Sequence, residues 1–267
     1  MKRRIILRLL AALLGVLLHA VPGLSERLPL KIYTSADGLG SSFVDFLLRD
    51  SRGFMWFCTR DGLSRFDGAR FVTYRVGDKN APPGIEALYQ TRDGNYFVIT
   101  TSGMFRFKAD AVSQTRDEIG GRPFLNAELV GRNRGPLLED RQGNLLYGGN
   151  DLFKVTENNG KFEFTPFKLD IPGTPNRAFA IFQLREAADG SIWMNTTLGI
   201  VRRLPDGRLT LYQHEIAVRT GNASMIVEPN GLVWVIWRNE FYVLKPAPID
   251  SVTTSERLTI KPLAATT

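Results

Sequence analysis

The chain has 267 residues, of which 43% are hydrophobic and 23% are charged, a composition typical of a globular protein with a sizeable core and not of a disordered one. Its formal net charge of +7 includes four basic residues within residues 1–23, which hold no acid, so the remainder carries +3. This balance does not indicate a basic nucleic-acid surface, and no nucleic-acid partner is predicted.

Residues 1–23 have the pattern of a secretory signal peptide. Four basic residues at positions 2, 3, 4 and 8 precede an apolar run from Leu9 to Val21. That run is short against the ~20 residues that span a bilayer as a helix. We therefore expect cleavage near Gly23, with an uncleaved membrane anchor as the alternative. Both alternatives place the rest of the chain outside the cytoplasm.

A block of residues then recurs five times. It has an apolar residue six positions before an anchor glycine and a large apolar residue, usually aromatic, three positions after it. The anchors are Gly53, Gly94, Gly143, Gly190 and Gly231, spaced 41, 49, 47 and 41 residues apart. A period of about 40 to 50 residues with turn signals inside it indicates propeller blades.

The first copy shows what one unit contains. Val44 begins an apolar segment, residues 50–53 form a turn with Asp first and Gly last, and Asp67-Gly68 is a strong hairpin signal. The pattern predicts four antiparallel strands per unit, innermost first, and hence an all-β propeller with about five blades in residues 24–245. Residues 246–267 are expected to begin a further blade or to form a linker.

The repeated positions have structural explanations. The large residue after each anchor is expected to pack between neighbouring blades, and the glycines to serve turns that need positive φ or room. Threonines six positions after the anchor are expected to bond to loop backbone groups. They are Thr59, Thr100 and Thr196.

Few residues favour metal or nucleophilic chemistry. Cys58, the sole cysteine, lies in an apolar segment and is expected to be buried, and the one histidine beyond residue 23, His214, lies in a polar stretch expected to be a surface loop. We therefore predict no catalytic residue, no metal site and no cofactor.

The propeller geometry places the candidate binding face. It combines the loops between the second and third strands with the connections near residues 76–85, 109–136, 169–177 and 213–223, because loops on a rigid scaffold commonly bind ligands. The candidate ligand-binding residues in the first set of loops are Arg60, Asp61, Ser102, Asn150, Asp151, Thr197, Arg238 and Asn239.

Residues 33–74 resemble the two-component regulator propeller family. The segment Asp37-Gly38-Leu39 is followed by D-x-x-G-φ-φ-W-φ-x-T-x-x-G-L-x-R-φ-D-G at residues 50–68. Later copies keep this frame with fewer of its residues, and the resemblance extends over roughly residues 30–245.

The resemblance implies an extracytoplasmic sensor domain of a bacterial two-component system. Family members usually carry two seven-bladed propellers, an immunoglobulin-like module, a membrane helix and a histidine kinase. The expected partners are a small molecule or oligosaccharide, a histidine kinase module in a longer protein or a partner chain, and a second copy in a homodimer. Five blades are fewer than seven, so an incomplete propeller is expected. The strand near residues 30–33 would complete its last blade.

Two alternatives to the sensor remain. A secreted lyase or glycosidase would need paired carboxylates, for which Asp61, Asp151 and Glu240 are candidates on one face. A non-catalytic scaffold would instead bind another protein.

Overall fold

The computed structural model describes residues 30–77, 79–80, 82, 84–113, 118–119, 121–132, 134–174, 178–214, 223–237 and 240–261. The chain divides into two compact units, Met1–Tyr33 and Thr34–Thr267. The predicted signal peptide lies outside the described residues. Residues 30–33, the described part of the first unit, contain no strand. The strand expected there is not formed, because no described strand pairs with these residues. A 3-10 helix follows at Ser35–Asp37, which Thr34 and Asp37 cap reciprocally.

The second unit is built from strands. The strands of the first two repeats are β1 (Val44–Arg49), β2 (Met55–Thr59), β3 (Gly62–Phe66), β4 (Phe71–Val76), β5 (Ile85–Gln90), β6 (Asn95–Thr100), β7 (Gly103–Lys108), β8 (Glu118–Ile119), β9 (Arg122–Leu125) and β10 (Glu128–Gly131). The strands of the other three are β11 (Leu137–Glu139), β12 (Leu145–Gly148), β13 (Leu152–Asn158), β14 (Lys161–Pro166), β15 (Ile181–Glu186), β16 (Ile192–Thr196), β17 (Gly199–Arg203), β18 (Leu209–His214), β19 (Ser224–Val227), β20 (Val233–Trp237), β21 (Glu240–Leu244) and β22 (Glu256–Ile260). Further 3-10 helices lie at Ala109–Ser113 and Ile249–Ser251.

Each repeat forms one sheet, and we number these sheets 1 to 5 in chain order. Sheets 1, 3 and 4 contain four consecutive antiparallel strands as predicted, β1–β4, β11–β14 and β15–β18. Sheet 2 takes its fourth strand, β10, from within residues 109–136, for which the sequence pattern predicts a connection and no strand. Sheet 5 has three strands among the described residues. His214 ends β18 and does not lie in a loop.

Three strands extend the sheet of the preceding repeat, β8 and β9 on sheet 1 and β22 on sheet 4. After β7 the chain returns to sheet 1, where β9 pairs in parallel with β4 before β10 completes sheet 2. After β21 the chain returns to sheet 4, where β22 pairs in parallel with β18. Parallel pairing between segments this far apart leaves no local pattern in the sequence. Part of residues 246–267 therefore extends sheet 4.

The sheets pack face to face, and the repeated residues fill the interfaces as predicted. Trp56 of sheet 1 and Leu88 of sheet 2 share one buried cluster, and Trp193 of sheet 4 and Met225 of sheet 5 share another. The residue after the anchor thus faces the next sheet, and the residue before it faces the preceding sheet. Cys58 is buried in the first cluster, as expected.

The first and last sheets leave these positions uncovered. Leu47, six positions before Gly53, is 51% exposed, whereas Leu88 at the same position of sheet 2 is 0% exposed. Trp234 of sheet 5 is half-buried, and Ile226 beside it is 60% exposed. The outer faces of sheets 1 and 5 are therefore apolar and solvent-exposed.

Candidate ligand-binding cavity

A cavity of about 790 Å³ opens where sheets 2, 3 and 4 meet, and we call it the inner cavity. It is lined by residues of β5 and β6, of the segment before β11, of β12 and the turn after it, and of the start of β15. These residues are Glu86, Ala87, Tyr89, Ile99, Arg132, Arg134, Gly135, Pro136, Tyr147, Gly149, Asn150, Ala180, Ile181 and Phe182. Its volume is within the range of small-molecule sites, ~300–1,000 Å³.

Bulges in the innermost strands direct two side chains into the inner cavity. The pairing of β5 with β6 skips Glu86, and the pairing of β15 with β16 skips Phe182. A bulge residue has no partner on the neighbouring strand, so its side chain does not follow the regular alternation between the two faces of the sheet. Both residues are exposed, and both lie eight positions before their anchor glycine.

Two glycines of the lining allow neighbouring groups to pack closely in the cavity wall. A Cβ built on Gly135 would lie 1.9 Å from the carbonyl oxygen of Gly148, so a side chain does not fit there. A Cβ on Gly149 would lie 3.2 Å from the hydroxyl oxygen of Tyr147. The hydroxyl end of the Tyr147 ring therefore lies beside two glycines that line the cavity.

Two tyrosines supply hydroxyl groups. Tyr147 is 2% exposed, and its hydroxyl has no hydrogen-bond partner in the described part of the chain. Burial raises the pKa of Tyr147 and the pKa of Tyr89. For Tyr89, a hydrogen bond from the Leu137 N–H to the hydroxyl oxygen lowers the pKa, but burial has the larger effect. Both phenols are therefore protonated at neutral pH, and Tyr147 can donate a hydrogen bond to a bound molecule.

The charged groups of the inner cavity are unequal in number. The Arg134 guanidinium lies 2.5 Å from the Glu86 carboxylate, and both side chains are about half exposed. Arg132 is exposed and has no ion-pair partner among the residues that the structure describes. The lining therefore carries two guanidinium groups against one carboxylate.

Two of the eight predicted residues belong to this arrangement. Asn150 lines the inner cavity. Thr197 positions its wall, because its N–H donates to the Ala180 carbonyl at 3.0 Å and its Oγ1 accepts from the Ala180 N–H at 3.1 Å.

Four others bond within their own loops or to neighbouring segments. Arg60 stacks on the Phe43 ring at 3.9 Å, and Asp61 pairs with Arg122 at 2.8 Å. Ser102 shares a 2.9 Å hydrogen bond with a strand threonine, and Asp151 accepts from the Leu152 and Leu169 N–H groups. Arg238 and Asn239 lie outside the described residues.

Arg132, Arg134, Tyr147 and Phe182 were not among the residues predicted from the sequence. The two arginines are within residues 109–136, one of the connections assigned to the binding face, and their close spacing was an available signal. Tyr147 and Phe182 are strand residues by pattern, and only the three-dimensional arrangement brings them to one cavity.

The lining holds one carboxylate among the described residues. Its one carboxylate, Glu86, is paired with Arg134, whereas glycoside hydrolysis uses two carboxyl groups. Asp61 forms an ion pair with Arg122, and Asp151 accepts hydrogen bonds from backbone N–H groups. Glu240 accepts a hydrogen bond from the Tyr242 hydroxyl at 2.7 Å. Within the described ranges, no three His, Cys, Asp or Glu residues are grouped so that they could hold a metal ion. No helix among these residues is long and apolar enough to cross a membrane.

No model of a known protein family matches the chain, and no curated protein matches it. Solved structures do. The extracellular domain of BT4673 from B. thetaiotaomicron, described as a one-component system, matches 82% of this chain at 18% identity with a TM-score of 0.58. The extracellular domain of BT3049 from the same organism, described as a hybrid two-component system, matches 84% at 14% identity with a TM-score of 0.50.

A third structure is an enzyme. Virginiamycin B lyase from Staphylococcus aureus matches 83% of this chain and 69% of its own at 14% identity, with a TM-score of 0.56. These proteins have propeller-like folds, so the likeness confirms the all-β, propeller-like fold, and the resemblance to sensor propellers is confirmed at the level of fold. The chain spans 32% of the BT4673 domain and 38% of the BT3049 domain.

Proposed function

We propose that the chain is the extracytoplasmic input region of a two-component signalling system, and that it binds a solute in the inner cavity without catalysing a reaction. The observation that carries this proposal is the cavity formed by three sheets, whose lining includes Tyr147, Asn150 and Arg132. These side chains carry hydrogen-bonding groups that a bound solute can engage, as in small-molecule sites, where a few polar groups fix the orientation of the ligand.

The sequence and the solved structures support the signalling role. The motif at residues 50–68 resembles that of sensor propellers, and BT4673 and BT3049 are described as signalling proteins with extracellular domains. The basic and apolar pattern of residues 1–23 is consistent with export. The histidine kinase module would belong to a longer protein or a partner chain, and a homodimer would bring two inputs together.

We further infer that the five sheets are part of a seven-bladed ring. Leu47 and Trp234 occupy positions that are buried against a neighbouring sheet in the other repeats, and both are accessible in this structure. Further sheets between sheet 5 and sheet 1 would cover them. This arrangement would also remove the exposed apolar faces, which are uncommon on soluble monomers.

A ligand screen by thermal unfolding tests the binding role. We expect one class of solute, with oligosaccharides in the first panel, to raise the melting temperature of the purified chain. By the mass-action law, such a solute adds about 2.7 kcal/mol to the free energy of unfolding at a hundred times its dissociation constant. Phe182→Ala, in the inner cavity, should reduce the shift. Phe241→Ala is the matched control, because Phe241 is 53% exposed on sheet 5 and Phe182 is 42% exposed.

The same samples distinguish binding from catalysis. Intact solute recovered after long incubation supports an input domain. Cleaved solute would support the lyase or glycosidase alternative, and a shift that Phe182→Ala leaves unchanged would place the solute elsewhere.

A further inference from the structure

The charges of the inner cavity indicate what kind of solute fits. Arg134 has its counterion within the site, since it pairs with Glu86. Arg132 has none among the described residues, although its side chain lines the same cavity. An exposed guanidinium in water needs no partner, but one that a bound solute covers loses its hydration. A solute with an anionic group at this position would compensate for that loss.

Among anions, the geometry of the guanidinium favours a carboxylate or a group of similar shape. Its planar fork can donate two parallel hydrogen bonds to two oxygens of one group. Arg134 lies two residues further along the same segment, and its pairing with Glu86 ties that segment to β5. The segment that presents Arg132 is thus attached to sheet 2 before any solute binds, which reduces the entropy lost on binding.

The rest of the lining suits a ring that is polar at its edge and apolar on its face. Phe182 is 42% exposed and presents an aromatic surface to the cavity. The Tyr147 hydroxyl and the Asn150 amide are hydrogen-bonding groups at the same site. A pyranose has C–H groups on its face and hydroxyl groups at its edge, so it matches both surfaces.

We propose that the solute is an acidic saccharide, whose carboxylate binds Arg132 and whose ring packs on Phe182. This inference rests on the proposed function, because it names the class of solute for the same cavity. It makes Arg132 the residue that selects acidic over neutral saccharides, and Phe182 a residue that contributes to the binding of both.

Calorimetric titration of matched saccharides tests the inference. The probes are oligosaccharides from pectin, alginate and glucuronan, each as the uronate and after reduction of its carboxyl groups to alcohols. We expect at least one uronate to bind roughly tenfold more tightly than its reduced form, and less tightly as salt is added. Arg132→Gln should remove that difference. Arg70→Gln, on an exposed turn of sheet 1 with an 81% exposed side chain, should preserve it.

Each other outcome overturns the inference in a recognisable way. Equal binding of a uronate and its reduced form would refute the acidic preference and leave the proposed solute binding intact. A preference that survives Arg132→Gln would refute the assignment to that residue. Equal binding of acetate would refute recognition of the sugar ring. Absence of saccharide binding while another solute raises the melting temperature would refute this inference alone, and only the absence of any such solute would also count against the proposed function.

Discussion

At the scale of single residues, Asp50 joins the first turn to the neighbouring sheet. Its Oδ2 accepts hydrogen bonds from Trp56 Nε1 at 2.9 Å and from the Tyr96 hydroxyl at 2.7 Å. Its Oδ1 accepts from the N–H groups of Arg52 and Phe54. Burial opposes ionisation of this carboxyl group, but these four hydrogen bonds outweigh it and lower the pKa of Asp50.

We predict that Asp50→Ala lowers the free energy of unfolding by about 2–3 kcal/mol, because the buried Trp56 and Tyr96 donors lose their acceptor. A lowered pKa also means that ionised Asp50 stabilises the fold at pH values above its unfolded pKa of about 3.9, and that this contribution is lost as the pH falls through the folded pKa. Urea unfolding from pH 7 to pH 2.5 measures both effects.

Asp170→Ala is the control for this prediction, because Asp170 is exposed. Its unfolding free energy should match that of the unmodified chain at each pH. If Asp50→Ala and the unmodified chain lost stability in parallel between pH 5 and pH 2.5, the assigned role of the Asp50 carboxylate would be wrong.

Glycine is needed for different reasons at two repeated positions. The anchor Gly94 has φ +83°, and a Cβ there would meet no atom within 4 Å. Gly103, nine positions later, has φ +138°, and a Cβ there would lie 2.5 Å from the Gly131 carbonyl oxygen in β10. The first position requires a left-handed backbone alone, whereas the second also requires close approach of a neighbouring strand.

We therefore predict unequal effects of the same substitution. Gly94→Ala should cost about 1 kcal/mol through backbone strain, and Gly103→Ala about 3 kcal/mol, because β7 and β10 must also separate. Chemical denaturation of the two variants compares them within one sheet. Equal losses would mean that the close approach of β10 contributes nothing.

At the scale of elements, local chemistry explains why much of each sheet was predictable. Turns such as residues 50–53 and Asp67-Gly68 mark strand ends, and Thr59 donates to the Gly62 carbonyl at 2.8 Å as expected. The bulges that skip Glu86 and Phe182 were not predictable, because an extra unpaired residue does not change the apolar pattern visibly. This is why Asn150 was found in a loop while Phe182 was missed in a strand.

Equivalent positions on different sheets provide a test of the packing. Leu88→Ala should cost about 2–5 kcal/mol, because Leu88 is 0% exposed against sheet 1. Leu47→Ala, at the same position of the repeat, should cost about 1 kcal/mol or less, because half of Leu47 is already in solvent. Thermal or urea unfolding of the two variants gives the comparison. A cost for Leu47→Ala equal to that for Leu88→Ala would show that a neighbour covers sheet 1 in solution.

At the scale of the whole molecule, the apolar outer faces of sheets 1 and 5 are the main departure from an ordinary soluble surface. On sheet 5, Ile226 lies opposite Trp234, and Ile236 lies opposite Phe241, on the side away from sheet 4. Faces of this kind promote association with other surfaces or with copies of the same chain.

We predict that the isolated chain self-associates and that Ile226→Lys with Phe241→Lys suppresses this association without unfolding it, because both side chains are already exposed. Sedimentation velocity over a concentration series measures the effect. Leu129→Lys is the control, since Leu129 is 43% exposed on β10 of sheet 2. A monomeric unmodified chain, or an equal effect of Leu129→Lys, would contradict the prediction.

The two parallel strands tie neighbouring sheets together through the chain. Between β7 and β10 of sheet 2 the chain passes through β9, which pairs with β4 of sheet 1. After β21 of sheet 5 the chain passes to β22, which pairs with β18 of sheet 4. Sheets 1 and 2 should therefore gain and lose structure as one cooperative pair, and sheets 4 and 5 as another, with sheet 3 between them. Hydrogen exchange would then reveal two blocks of amides that open together.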